Sequence, residues 1–228
     1  MVKASDHADT RMMGIVHGAL RRDLLRAREV VGSAPYPEGH QRRALGEHVV
    51  WLMDFLHTHH SGEDIGLWPA VRAKTTSVDA LLESLEADHR QIEPAADAVR
   101  ETGARYAATS GDVRLQLTTV LDDLAVVLFP HLDREVEEAM PVVSKTLTNG
   151  EWHAIEKKHF IKVQSLSQLG FLAHWLLDGI DSQGREVVLH TVPAVPRFVL
   201  VHGFARAYRR RVRAVWQADE NVVGVAAR

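Results

Sequence analysis

The sequence predicts an all-α protein, an up-down-up-down four-helix bundle followed by a C-terminal α-helical extension. Three observations carry that reading. Residues 1–150 fall into four long segments between turn-rich stretches, each segment places apolar residues at alternating four- and three-residue steps, and strand-like β-branched and aromatic runs are few. The breaks are GSAPYPEGH at 32–40, PAVRAKTTS at 69–77 and ETGARYAATSG at 101–111. With 228 residues, 46% of them hydrophobic, the chain has ample material for a buried core, and disorder is excluded.

Taken in order, the first segment carries the stripe Met13, His17, Leu20, Leu24, Ala27, Val31 and the second Leu45, Val49, Leu52, Leu56, His59, Glu63. The third carries Val78, Leu82, Leu85, His89, Ile92, Ala96, Val99, and the fourth Leu117, Leu121, Leu124, Leu128, His131, Glu135. Amphipathic helices joined by short polar loops bury such stripes against one another as an antiparallel bundle. His17 and His89 then lie about ten residues inside their helix starts, and His59 and His131 a similar distance before their helix ends. At 1.5 Å per residue all four fall about 15 Å from the same bundle end. The bundle is expected over residues 1–148 and the extension over 149–228, with helices near 151–168, 169–179 and 196–217 interrupted by DGIDSQG, Pro193 and Pro196.

Composition narrows the chemistry. A net charge of −3 with 25% charged residues of mixed sign calls for no polyanionic partner, so nucleic-acid binding is not expected. The absence of cysteine leaves only nitrogen and oxygen to hold a metal. The N-terminus shows no secretory pattern and no run approaches about 18 apolar residues, so the expected location is the cytoplasm, without a membrane span. A serine triad, a P-loop and a dinucleotide fingerprint are all missing.

The compositional excess is in 14 histidines. Four six-residue stripes would each hold one by chance only about one time in a hundred. The second and fourth segments also share a pattern, His59-x-x-x-Glu63-x-x-x-x-x-Pro69 and His131-x-x-x-Glu135-x-x-x-x-x-Pro141. Four residues along a helix rotate a side chain by about 40° and lift it about 6 Å, so each His and Glu share a face as a chelating pair. Two buried glutamates need cations or hydrogen bonds to offset desolvation. His60 and Asp64 form a rival pair about 100° around the second helix. Leu52 and Leu56 direct the stripe at His59 and Glu63, which sets His60 and Asp64 at the rim or behind a ligand imidazole that they could orient, so that removing His60 leaves the site nearly filled.

VHGALRRDL around His17, FLHTHHSGEDIGLWP with His59 and Glu63, LEADHRQIE with His89, and LFPHLDREVEEAMP with His131 and Glu135 together resemble the hemerythrin-like HHE cation-binding domains, over about residues 10–145. The resemblance implies a four-helix bundle holding two Fe ions, a non-heme di-iron centre bridged by an oxo or hydroxo group, with His17, His59, Glu63, His89, His131 and Glu135 as ligands. Oxygen-carrying relatives show H-x-x-x-H in the third helix and H-x-x-x-x-D in the fourth, where this chain has His89 with Glu93 and His131 with Val136. Glu93 is therefore a seventh candidate ligand, although Pro94 follows it and is expected to kink the helix.

The function these residues imply is binding of dioxygen, peroxide or another small diatomic in the bundle core, with peroxide decomposition as the activity if the protein is an enzyme. The alternative is an oxygen or iron sensor signalling through the extension. There LGFLAHWLLDGI suits packing against the bundle or a second subunit, as a homodimer. His153, His159, His174, His190 and His202 show no metal-ligand spacing and are assigned to structure. The basic run Arg209, Arg210, Arg211, Arg213 reads as a solvated face able to attract phosphate. A third reading makes the metal purely structural and this helix the interaction surface.

Overall fold

The computed structural model describes residues 4–108, 113–161, 165–191 and 203–216. The bundle is built from α1 (Arg11–Gly32), α2 (Gly39–Gly62), α3 (Trp68–Arg72), α4 (Asp79–Ala108), α5 (Arg114–Arg134) and α6 (Met140–Thr146). Between α2 and α3 runs a π-helical turn, Glu63–Leu67, and between α5 and α6 another, Glu135–Ala139. Each turn precedes a proline, Pro69 or Pro141, in the first turn of the next helix. Proline has no N–H to donate and its ring crowds the carbonyl four residues back. Widening the helix lets Trp68 N–H donate to the Glu63 carbonyl and Met140 N–H to that of Glu135.

The predicted stripes are the buried faces of α1, α2, α4 and α5, with Val78 and Ala96 only half-buried. Gly46 of α2 stands at a close crossing of α4, where an added Cβ would lie 2.6 Å from the Gly103 carbonyl. Pro94 sits on the exposed side of α4, and the helix continues through it. By length and composition alone Arg114–Thr146 could cross a membrane. Its windowed average is apolar although polar residues interrupt every long run, and its apolar stripe is the face turned to the core.

The core is divided. One apolar cluster contains Leu20, Leu24, Leu52, Leu56, Ile92, Leu128 and Leu132; the other contains Met13, Leu67, Trp68, Leu82, Leu85, Ala139 and Met140. His17 lies between Met13 and Leu20 on α1, and His89 between Leu85 and Ile92 on α4. Each stripe thus passes from one cluster to the other through a polar residue, and these residues form a layer across the bundle.

The extension folds back onto the bundle as α7 (Asn149–Ile155), a π-helical turn (Glu156–Ile161), α8 (Leu166–Leu177), α9 (Ser182–Thr191) and α10 (Ala205–Trp216). Thr148 with Glu151, and Ser165 with Gln168, form capping boxes that start α7 and α8. The α9 helix was not expected. DGIDSQG reads as an interruption, but the Asp181 side chain accepts from Gly184 N–H at 2.7 Å and starts a helix there. Pro193, Pro196, His202 and the expected helical residues 196–202 and 217 lie outside the described residues. Trp175, Val188, Tyr208, Val215 and Trp216 join the larger bundle cluster. Trp175 also donates through Nε1 to buried Asp23 at 2.9 Å, which accepts from His48 at 2.8 Å. Burial alone would raise the Asp23 carboxyl, but His48 and Arg22 hold it well below the carboxylate range.

Candidate metal centre

The polar layer consists of two contiguous groups of inward-facing side chains. In the first, His17, His59, Glu63 and Glu135 offer ligand atoms within 4.8 Å of one another; in the second, His60, His89 and His131 do the same. All seven residues are buried, and Glu63 and Glu135 have no solvent exposure. Six of the seven residues singled out in the sequence converge here. Glu93 does not. It is exposed on α4, because the buried face runs Leu85, His89, Ile92 and a further four-residue step from His89 turns off that face onto the surface.

The two carboxylates lie between the groups. Glu63 Oε1 is 3.0 Å from His59 Nε2 while its Oε2 is 3.5 Å from His89 Nε2. Glu135 Oε2 is 3.4 Å from His17 Nε2 and 3.8 Å from His131 Nε2. Each carboxylate therefore faces one imidazole from either group, the placement a bridging ligand requires.

The imidazoles are turned by partners behind them. His17 Nδ1–H donates to the Leu132 carbonyl at 3.1 Å, His89 Nδ1–H to Asp64 at 2.8 Å, and His131 Nδ1–H to Asp88 at 3.4 Å. Asp88 is itself held by Arg134 at 3.2 Å. A proton fixed on Nδ1 leaves the Nε2 lone pair aimed into the layer, as metal ligation demands. His60 stacks on His89 with ring centroids 4.0 Å apart.

Whether these residues fit a cation is decided by what they lack. Both oxygens of Glu63, both of Glu135, and Nε2 of His60, His89 and His131 are buried without a hydrogen-bond partner among the described residues. Such a cluster of orphaned acceptors is costly, several kcal/mol for each ionised group. Burial pushes the Glu63 carboxyl up to about 8 and that of Glu135 well above the carboxylate range, with Glu63 adding repulsion there. Burial also drives His17, His60 and, to about 4, His131 toward the neutral form, and neighbouring imidazoles add to it. Neutral imidazoles and carboxylates that cannot hold their charge alone are a ligand set for hard or borderline cations.

A family model, the Hemerythrin HHE cation binding domain, matches residues 10–143. The chain belongs to this family. No significant match was found among curated proteins or among solved structures. The HHE match spans α1 to the first part of α6 and every residue of both groups, and it ends before the extension.

This HHE domain builds its second group in a way the sequence did not reveal. His60, expected at the rim, stands inside the layer with His89 and His131. The 59/63 and 60/64 pairs looked like competing registers, but adjacent positions diverging by about 100° can each serve a different ion of a pair. Its partner position, Asp64, holds His89 from behind. The third-helix H-x-x-x-H spacing that this chain lacks is made good from α2. Asp88, immediately before His89, was missed because its role lies across the helix interface, on His131.

The extension also reaches the layer. Phe160 packs 5.9 Å from the ring of His59, and a Cβ on Gly62 would meet Phe160 at 2.5 Å. Phe55 also stacks on His59 at 6.1 Å and is itself in edge contact with Trp175 at 5.0 Å. His57 and Glu137 are exposed off the buried stripes, and Glu138, which a three-residue step from Glu135 would place on the stripe, is exposed as well, because the π-helical turn Glu135–Ala139 interrupts that step.

Proposed function

We propose that the bundle core holds two iron ions and binds a small oxygen species there, either dioxygen or peroxide, with peroxide decomposition as its activity. The observation that supports this best is the pair of buried ligand groups flanking two carboxylates that have no other partner. Iron bound there would supply Lewis-acid polarisation and one-electron chemistry. The remaining contributions belong to the chain. Glu63 and Glu135 span the two groups and set the charge balance. Lying between the three-histidine and the two-histidine groups, they would hold cations from both sides, with His60, His89 and His131 on one side and His17 and His59 on the other as neutral donors.

The apolar clusters above and below the layer keep bulk water from it. Glu93, being exposed, takes no part in moving protons at the site. Asp64, 38% exposed and bonded to His89, takes that place as the carboxylate joining the ligands to solvent. The test is peroxide consumption by iron-loaded protein. Turnover that depends on iron and disappears in His59→Ala supports the enzyme, whereas a reversible spectral change with dioxygen and no turnover supports a carrier. Absence of both overturns the proposal.

The contact of Phe160 and, through Phe55, of Trp175 with His59 favours one alternative, an iron- or oxygen-responsive module. In that reading, metal loading or a change of gas alters tryptophan emission and amide exchange over residues 156–177. A turnover-competent protein with no such change sets it aside.

A further inference from the structure

The α10 helix conflicts with its own local electrostatics. Arg206, Arg209, Arg210 and Arg213 follow one another at helical steps of three, one and three, which gathers four like charges on one face within about 10 Å. Like charges at such spacings repel, and Arg206 adds a cation in the first turn, where the helix dipole disfavours it. No acidic residue lies within α10. All four arginines are exposed, and among the described residues none forms an ion pair. The fifth, Arg211, points inward over Phe171 at 4.4 Å and Trp51 at 5.6 Å.

The four guanidinium groups and His40 line a single cavity of about 590 Å³ at the α2–α10 junction. It opens into a groove of about 900 Å³ along α2, walled by Ala44, Val50 and Trp51 and bordered by Glu47 and Asp54. Asp54 is paired with Arg100 at 2.7 Å, and Glu47 faces Arg211, so neither compensates the outer arginines.

We propose that this cavity is a binding site for a short polyphosphate chain, either inorganic or carried by a nucleotide. Guanidinium forks match phosphate oxygens in bidentate geometry, and several within about 10 Å suit linked phosphates better than an isolated one. The outer arginines are confined to the cavity, and the groove beyond them adds only Arg211, turned onto Phe171 and Trp51, and two acids already paired, so an extended nucleic-acid backbone would find no further phosphate contacts there. The four arginines lie outside the region shared with the HHE family, His40 and the groove wall on α2 lie within it, and none of the lining residues belongs to the polar layer.

Titration calorimetry on the full chain at physiological salt tests it, with inorganic phosphate, inorganic triphosphate, a nucleoside triphosphate and a single-stranded oligonucleotide as probes. One triphosphate per chain is expected, bound at least about tenfold more tightly than phosphate. Arg209→Gln with Arg213→Gln should weaken it about tenfold or more, while Arg90→Gln, an exposed arginine on α4, leaves it unchanged. Unaltered helicity and melting temperature keep the variants interpretable. Equal affinity for the two triphosphates assigns recognition to the phosphates alone; tighter binding of the nucleotide brings in the apolar wall. Triphosphate bound no better than phosphate, equal loss in Arg90→Gln, or tighter binding of the oligonucleotide overturns the proposal.

Discussion

The segments from His59 to Pro69 and from His131 to Pro141 are two versions of one device. Each has a histidine, a glutamate four residues on, a π-helical turn opening at that glutamate and a proline six residues beyond it. They differ at the neighbouring positions. Where the first segment has His60 and Asp64, the second has Leu132 and Val136. Leu132 is buried in the apolar cluster and contributes only its carbonyl, to His17; His60 enters the second ligand group and Asp64 supports His89. The shared positions make the centre two-sided, and the unshared ones make it unequal, with three imidazoles on one side and two on the other.

Removing a shared glutamate should do the most damage. Glu63→Ala or Glu135→Ala takes away the group facing both sides, and elemental analysis is expected to find most of both metal ions lost. Chelating the wild-type protein should lower its melting temperature on the order of 5–10 °C, because bound metal stabilises only the folded state. A melting curve indifferent to chelator would mean that the layer holds together without a cation.

Erasing the asymmetry comes next. His60→Leu turns α2 into a copy of α5, and metal content should fall by about half as the three-histidine group loses a ligand. Full retention would return His60 to the rim. Asp64→Ala should then weaken metal binding about 10–100-fold by releasing His89, and Asp88→Ala less, since its contact with His131 is longer at 3.4 Å. These two are measured by competition with a metal indicator. The smallest effect belongs to Glu93→Ala, whose metal content should match the wild type and whose stability should change by no more than about 0.5 kcal/mol.

The bundle was legible in the sequence because each of its four long helices carries a regular stripe, and the candidate ligands His17, His59, Glu63, His89, His131 and Glu135 occupy those stripes at matching depth. Periodicity reports which face is buried and cannot report two adjacent residues both turned inward, which is why His60 was read as an alternative to His59. Glu93 was misplaced by the opposite error, a correct four-residue spacing from His89 on a helix whose buried face had already moved on to Ile92. The two π-helical turns of the bundle left a mark, the proline six residues after each glutamate, which signals a local widening once its missing N–H is counted. Asp88, and the contacts of Phe160 and Trp175 with the His59 side of the layer, depend on packing between distant segments and left no local pattern. The α9 start at Asp181 was hidden in a stretch whose Gly and Asp content reads equally as a loop.

The central claim is that one chain encloses two metal positions spanned by Glu63 and Glu135. Its most direct test is metal quantification, by elemental analysis, of protein purified without added metal, beside Glu63→Ala prepared in the same way. Close to two irons per wild-type chain and little metal in the variant are expected. One ion or fewer in the wild type, or an undiminished content in Glu63→Ala, would contradict it.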